Sequence, residues 1–263
     1  MRKLIQKLLQ PSNAFTGLLQ LLFFPFFYLG IVSGAEWYWW LTAFFFWSIV
    51  YTTFGNNIIL HRYCCHAHFS LPKWKEYPLL WIGCMVGVGG PLSYAMTHLV
   101  HHNARYTDTE LDPHGYHRGI KSWLMCFQRT VNPDETPIFS KQIVRLHKRF
   151  WWMHEYYTPI VIATALILYL IDPMIFLFCW AIPASFSCWG IGFAVWRQHL
   201  HGKAQNAPTH KWEPFYESLH LNHHLYPGAP NTAVNKNEID WVYQFSKLIR
   251  PTYDWRGQPD RDV

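Results

Sequence analysis

The amino-acid sequence predicts an all-α integral membrane protein, with four transmembrane helices paired as two hairpins beneath a cytoplasmic helical cap. Three observations predict it. Charged residues make up 14% of the chain against 51% apolar and 19% aromatic, where a soluble domain carries about 25% charged. The apolar residues arrive in long uncharged runs. Finally, the 22 Lys and Arg residues are confined to segments 1–13, 61–156 and 197–263, which flank those runs.

The elements follow in chain order. Runs 14–33 and 37–60 are each long enough for a hydrocarbon core, which takes roughly 20 helical residues. Run 157–171 is shorter, but Trp151, Trp152 and Tyr156 extend it with an interfacial aromatic belt. Run 173–196 completes the second pair. The connections at 34–36 and 172 hold no Lys or Arg and are short, so each pair reads as a hairpin. Four spans then put the three basic segments on one side, which the positive-inside rule makes cytoplasmic. The whole chain, 1–263, is expected to be one domain.

Segment 77–96 is also uncharged. Gly83, Gly87, Gly89, Gly90 and Pro91 interrupt its middle, which weakens a helix. A crossing there would separate the histidines before it from those after it, so it is expected to be interfacial or re-entrant. The stretch from Asn231 onward is polar and punctuated by Trp and Tyr, and is expected to add helices to the cap. No repeat or low-complexity tract occurs. Cys64, Cys65, Cys84, Cys126, Cys179 and Cys188 form no CxxC pair and read as reduced thiols. No short apolar run with a small-residue cleavage site precedes the first span, so a removable leader is not expected. The formal net charge of +6 lies beside the apolar runs among Trp and Tyr. That is a membrane-surface pattern and argues against nucleic acid as a partner.

Histidine is the other anomaly. The chain has 16, and eight fall in three clusters: His61 and His66; His98, His101 and His102; His220, His223 and His224. At this composition an HxxHH match is expected roughly 0.05 times by chance, yet two occur. On an α-helix, positions i, i+3 and i+4 share a face, so each HxxHH presents three imidazoles as half a shell around a metal ion. Imidazole suits Fe, Zn, Cu and Ni. Eight ligands exceed the four of a zinc site, so two metals sharing the set is the economical reading. The second cluster has no Glu-x-x-His motif and the third has one, Glu217 to His220; with eight clustered histidines, ligation is expected to be histidine-rich, unlike that of the ferritin-like bundles.

Extended, these clusters read His61-Arg62, then His98 to His114 with a DTELDPH tail, then Glu217-Ser-Leu-His220-Leu-Asn-His223-His224-Leu-Tyr-Pro227. In this form, over roughly residues 15–230, the chain resembles the membrane fatty acid desaturases, and most of all their Δ9 acyl branch. The resemblance implies a ninth histidine ligand after the fourth span. His199 is the candidate and His201 the alternative; Val195 and Trp196 stand where the family pattern has Asn and Ser. It also implies two Fe ions, O2 as co-substrate, and a saturated acyl substrate carried on CoA, acyl carrier protein or lipid. An electron donor such as ferredoxin or cytochrome b5 is implied as well, since the chain shows no flavin or dinucleotide fingerprint. The expected setting is a bacterial inner membrane rather than the endoplasmic reticulum, with the site on the cytoplasmic face. A hydroxylase on the same scaffold and a zinc-binding membrane protein are the alternatives.

The remaining polar residues have lesser expected roles. His68, His114, His117, His147, His154 and His210 are expected not to be ligands, with an outer role conceivable for His114. Asp108, Glu110 and Asp112 are read either as acceptors orienting imidazoles or as charges flanking a helix. Arg118, Lys121, Arg145, Lys148 and Arg149 read as cations at an anionic leaflet, with an anionic acyl headgroup as the alternative.

Overall fold

A computed structural model describes residues 13–103, 112–114, 121, 123–124, 141–200 and 203–258. Among these, three helices are long and apolar enough to cross a membrane: α1 (Phe15–Val32), α2 (Trp37–Cys65) and α7 (Pro173–Gln198). A fourth candidate is a bent pair, Lys148–Glu155 followed by Tyr157–Ile171, with a 65° bend between them. Its two arms are the end of α5 (Lys141–Glu155) and the whole of α6 (Tyr157–Ile171).

The short connections form as their residues dictate. Gly34 takes a left-handed φ of 67° between α1 and α2 with nothing near its missing side chain. Asp172 caps α7 by accepting from the Met174 amide at 2.7 Å, and Pro173 supplies the preset first helical residue. Leu18, Phe24, Tyr28, Ile162, Leu166 and Leu170 turn outward from α1 and α6. These are the apolar faces a bilayer covers. Inside, Leu19, Tyr51, Val86, Tyr157, Phe178 and Ile182 pack into one core.

The second span runs past the predicted end at residue 60, through Cys65. From Phe46 to Cys65 it is wound with i→i+5 hydrogen bonds, a winding usually limited to a single turn. The uncharged run stops at His61, but the helix continues because the charge that follows, Arg62, is met within the protein by Glu217 and Asp240.

Segment 77–96 is helical on both sides of a break: α3 (Lys73–Met85) enters and α4 (Pro91–His101) leaves. Between them Gly87 and Gly89 adopt φ of 91° and 115°, a backbone that favours glycine. The turn is buried, and its polar groups are met by three different helices. Thr16 of α1 donates to the Gly87 carbonyl at 3.0 Å. The Tyr157 hydroxyl of α6 accepts from the Gly89 amide at 3.1 Å. Trp180 of α7 donates to the Met85 carbonyl at 3.1 Å. Irregular backbone at this depth needs such partners.

A second core (Ile58, Tyr63, Leu80, Leu92, Phe150, Val242) joins α2, α3, α4 and α5 to the C-terminal region. That region is less helical than expected. It contains the six-residue α8 (His220–Leu225) and α9 (Trp241–Ser246), and β2 (Thr252–Tyr253), which pairs antiparallel with β1 (Phe69–Ser70). Past Asn231 the polar groups are satisfied by local side chains instead: Glu238 accepts from the amides of Val234 and Asn235, and Asp240 caps α9. The described cysteines, Cys64, Cys65, Cys84, Cys179 and Cys188, are free thiols; Cys126 lies outside the described residues.

Candidate metal centre

Four elements deliver the histidines to one place. The end of α2 supplies His61 and the residue after it is His66, α4 supplies His98 and His101 with His102 just past its end, the residue after α7 is His199, and α8 supplies His220, His223 and His224. The i→i+5 winding explains the first pair. In an α-helix a separation of five residues turns a side chain about 140° away, whereas here the His66 amide bonds the His61 carbonyl at 3.3 Å and the two rings lie 5.0 Å apart.

The nine predicted histidines come together in two groups. His61, His66, His98, His102 and His223 form one, and His101, His199, His220 and His224 the other; within each, the ring nitrogens lie within 4.8 Å of one another. Each HxxHH cluster is therefore divided, where one half-shell per cluster was expected. Helix geometry accounts for this: i and i+4 differ by about 40° around the axis, while i+3 lies about 60° to the other side. His98 and His102 thus face one group and His101 the other. His220 and His224 pair likewise, and His223 crosses over.

Ring-to-ring hydrogen bonding cannot satisfy these contacts. In the first group the Nε2–Nε2 distances are 2.9 Å for His61–His223, 3.0 Å for His66–His98 and 3.0 Å for His102–His223. In the second they are 2.8 Å for His199–His220, 3.1 Å for His101–His224 and 3.0 Å for His220–His224. An imidazole Nε2 offers one proton or one lone pair, yet Nε2 of His223, His220 and His224 each meets two others. A cation takes a lone pair from every ring at once, and the donor set fits one in each group. With metal–nitrogen bonds of about 2.1 Å, donors at right angles sit about 3.0 Å apart and tetrahedral donors about 3.4 Å. The six close spacings, 2.8 to 3.1 Å, match the right-angled value.

Protonation agrees. Burial, then the neighbouring imidazoles, push His66, His101, His102, His220 and His223 well below the usual histidine range. The same causes bring His224 to about 4 and His199 to about 2. All are therefore neutral near pH 7, the form that binds a metal.

Carboxylates hold two of the rings from behind. Asp112 lies 2.9 Å from Nδ1 of His101 and also accepts from the His114 amide at 2.9 Å, so it serves as an acceptor for imidazole and not as a helix-flanking charge. Glu217 lies 3.4 Å from Nδ1 of His61. Burial alone would raise the Glu217 carboxyl, but Arg62 and His61 hold it far below the usual carboxylate range. The short α8 is anchored through Asn222, which donates to the Thr232 carbonyl at 3.0 Å and to Glu238 at 2.9 Å and accepts from Asn206 at 2.8 Å. Sequence reading passed over Asn222, although its place between ligand-type histidines was the available signal.

Among the other histidines, His68 contacts the Pro227 carbonyl at 2.8 Å, His210 that of Ala207 at 3.1 Å, and His154 packs on Trp151. The His114 ring lies 4.3 Å from that of His101. Two of the expected leaflet cations turn inward: Arg149 pairs with buried Glu76 and Arg145 covers the Tyr63 ring. Lys121 and Lys148 are exposed. Asp108, Glu110, His117, Arg118 and His201, and the side chain of His147, lie outside the described residues.

Residues 37–238 match a family model described as Fatty acid desaturase. The chain is 29% identical over 261 residues to sn-1 stearoyl-lipid 9-desaturase of Anabaena variabilis, covering 85% of this chain and 88% of that protein. It is 27% identical over 225 residues to Delta-9 acyl-lipid desaturase 1 of Arabidopsis thaliana, covering 76% and 71%. It is also 27% identical over 228 residues to sn-2 palmitoyl-lipid 9-desaturase of Nostoc sp., covering 80% and 77%.

Proposed function

The chain belongs to the fatty acid desaturase family, and on that footing we propose that it is an O2-dependent acyl-lipid desaturase working through a histidine-held pair of irons. It places a cis double bond at the Δ9 position of a saturated acyl chain. The observation that carries this reading is the pair of histidine groups, each with ring nitrogens gathered within 4.8 Å of one another. His61, His66, His98, His102 and His223 would hold one ion, and His101, His199, His220 and His224 the other. Bound there, iron supplies the O2-activating redox chemistry that no side chain of the chain provides.

The protein's own part is placement. Asp112 and Glu217 keep His101 and His61 in one tautomer with Nε2 turned inward. The buried cage excludes bulk water from the reacting methylenes. The outward apolar faces of α1 and α6 keep the enzyme in the bilayer that contains its substrate. The reaction removes one hydrogen from each of two adjacent methylenes. With O2, two electrons and two protons it leaves one double bond and two waters. The electrons come from a separate carrier such as ferredoxin or cytochrome b5.

Further support comes from several directions. The three relatives described above are named as lipid-linked acyl desaturases acting at position 9, which favours a lipid-linked substrate, although a shorter match of 61 residues is to an acyl-CoA enzyme. Four spans, with the bent α5–α6 pair as the third, keep the basic segments and the cage on the cytoplasmic face. Segment 77–96 would then re-enter, since His66 before it and His98 after it meet at 3.0 Å. A bacterial inner membrane suits that orientation. Expression in a host without desaturases, with mass-spectrometric mapping of double bonds, tests the activity. A Δ9 monoene is expected, and it should vanish with His101→Ala or His223→Ala. Hydroxylated chains alone would identify a hydroxylase, and unaltered lipids would contradict the proposal.

A further inference from the structure

Arg62 is 1% exposed, at the end of a membrane-spanning helix and directly after His61. Burying a guanidinium is costly unless its charge and all its N–H groups are met. Here they are. Nε and Nη2 donate to Glu217 at 3.0 and 2.5 Å, and Nη2 donates to Asp240 at 2.9 Å. Nη1 reaches the other Asp240 oxygen at 2.8 Å and the Pro230 carbonyl at 2.9 Å. Five donors meet five acceptors. Both carboxylates are committed elsewhere too: Glu217 faces Nδ1 of His61, and Asp240 accepts from the Thr232 amide and hydroxyl at 2.7 and 2.9 Å. One side chain thus clamps the α2 end, the approach to α8 and the loop before α9.

We propose that Arg62 is a positioning residue for one metal only, fixing His61 in the five-histidine group through Glu217. The inference rests on the two-ion reading given above. Its selectivity follows from what else holds the cage. Arg62 also reaches the approach to α8, but the third histidine cluster has a further anchor in Asn222 and His101 has Asp112, so the four-histidine group keeps supports that do not run through Arg62. His61 depends on it. Its Nδ1 partner keeps its position only while the guanidinium forks are in place. Lysine retains the charge but cannot form two planar forks.

The test is cobalt(II) titration of the detergent-purified, metal-stripped full chain, followed by the visible absorption of the bound ion. Gel filtration and far-UV circular dichroism report the fold. Wild type is expected to bind two equivalents. In Arg62→Lys one equivalent should keep its affinity and the other weaken about 10- to 100-fold, the usual cost of losing a ligand's outer partner. In a His199→Ala background, where only the five-histidine group is whole, the weakening should fall on the single remaining tight site. Asp240→Asn, which keeps side-chain shape, should act in the same direction and serves if Arg62→Lys does not fold. Folded variants that bind both equivalents as wild type does, or that lose both equally, overturn the inference. Wild type binding fewer than two equivalents would instead overturn the two-ion reading.

Discussion

Replacing Gly87 with alanine tests the buried turn that aims α4, and with it His98, His101 and His102. Two costs add. A side chain at φ 91° sits in the left-handed region, a penalty of roughly 1–2 kcal/mol. The new Cβ would also lie 2.2 Å from Cδ2 of Leu19, and overpacking of this kind costs about 1–3 kcal/mol. The expected loss is therefore about 2–5 kcal/mol, or roughly 4–20 °C in Tm at about 2–4 °C per kcal/mol. Gly34→Ala is the control, since Gly34 has φ 67° with nothing within 4 Å of the added carbon; it should lose only about 1–2 kcal/mol. Thermal unfolding of the detergent-solubilised protein, followed by tryptophan fluorescence, measures both. Leu19→Ala combined with Gly87→Ala should be less damaging than the sum of the single variants, by about 1–3 kcal/mol. Additivity within about 0.5 kcal/mol, or equal losses at Gly34 and Gly87, would refute the packing argument.

Two further outcomes follow from the cage. Asp112→Asn should keep the fold and lower metal affinity or turnover about 10- to 100-fold, measured by metal competition and product yield. Stability of the metal-free protein should fall as pH drops below about 6.5, because the unfolded chain takes up protons on His199 and His224 that the folded chain refuses until about 2 and about 4. Each such histidine contributes a slope of about 1.4 kcal/mol per pH unit. The His224 contribution is complete near pH 4 and that of His199 continues lower; thermal melts from pH 7 to pH 5 should show a steady decline.

How much of this was legible in the sequence depends on the range over which each feature is encoded. Hydropathy is local, and runs 14–33, 157–171 and 173–196 lie within a few residues of helical segments Phe15–Val32, Tyr157–Ile171 and Pro173–Gln198. The histidine clusters were visible because their spacing is local as well. The division of each HxxHH between two groups was not, since it depends on what faces α4 and α8. The winding of Phe46–Cys65 left only the five-residue interval from His61 to His66 as a trace. Arg62 finds Glu217 and Asp240 at separations of 155 and 178 residues, and no periodicity encodes such a meeting. The bent candidate, Lys148–Glu155 with Tyr157–Ile171, reads in the sequence as a short helix because its 65° bend falls at Tyr156, between α5 and α6, and hydropathy does not encode a bend.

The central claim is that nine histidines bind two irons, and metal analysis of the purified chain tests it most directly. Expressed in iron-replete medium and purified without chelator, the protein should hold two iron atoms per chain. His223→Ala and His199→Ala should each retain close to one. Two zinc atoms and no iron would contradict the account.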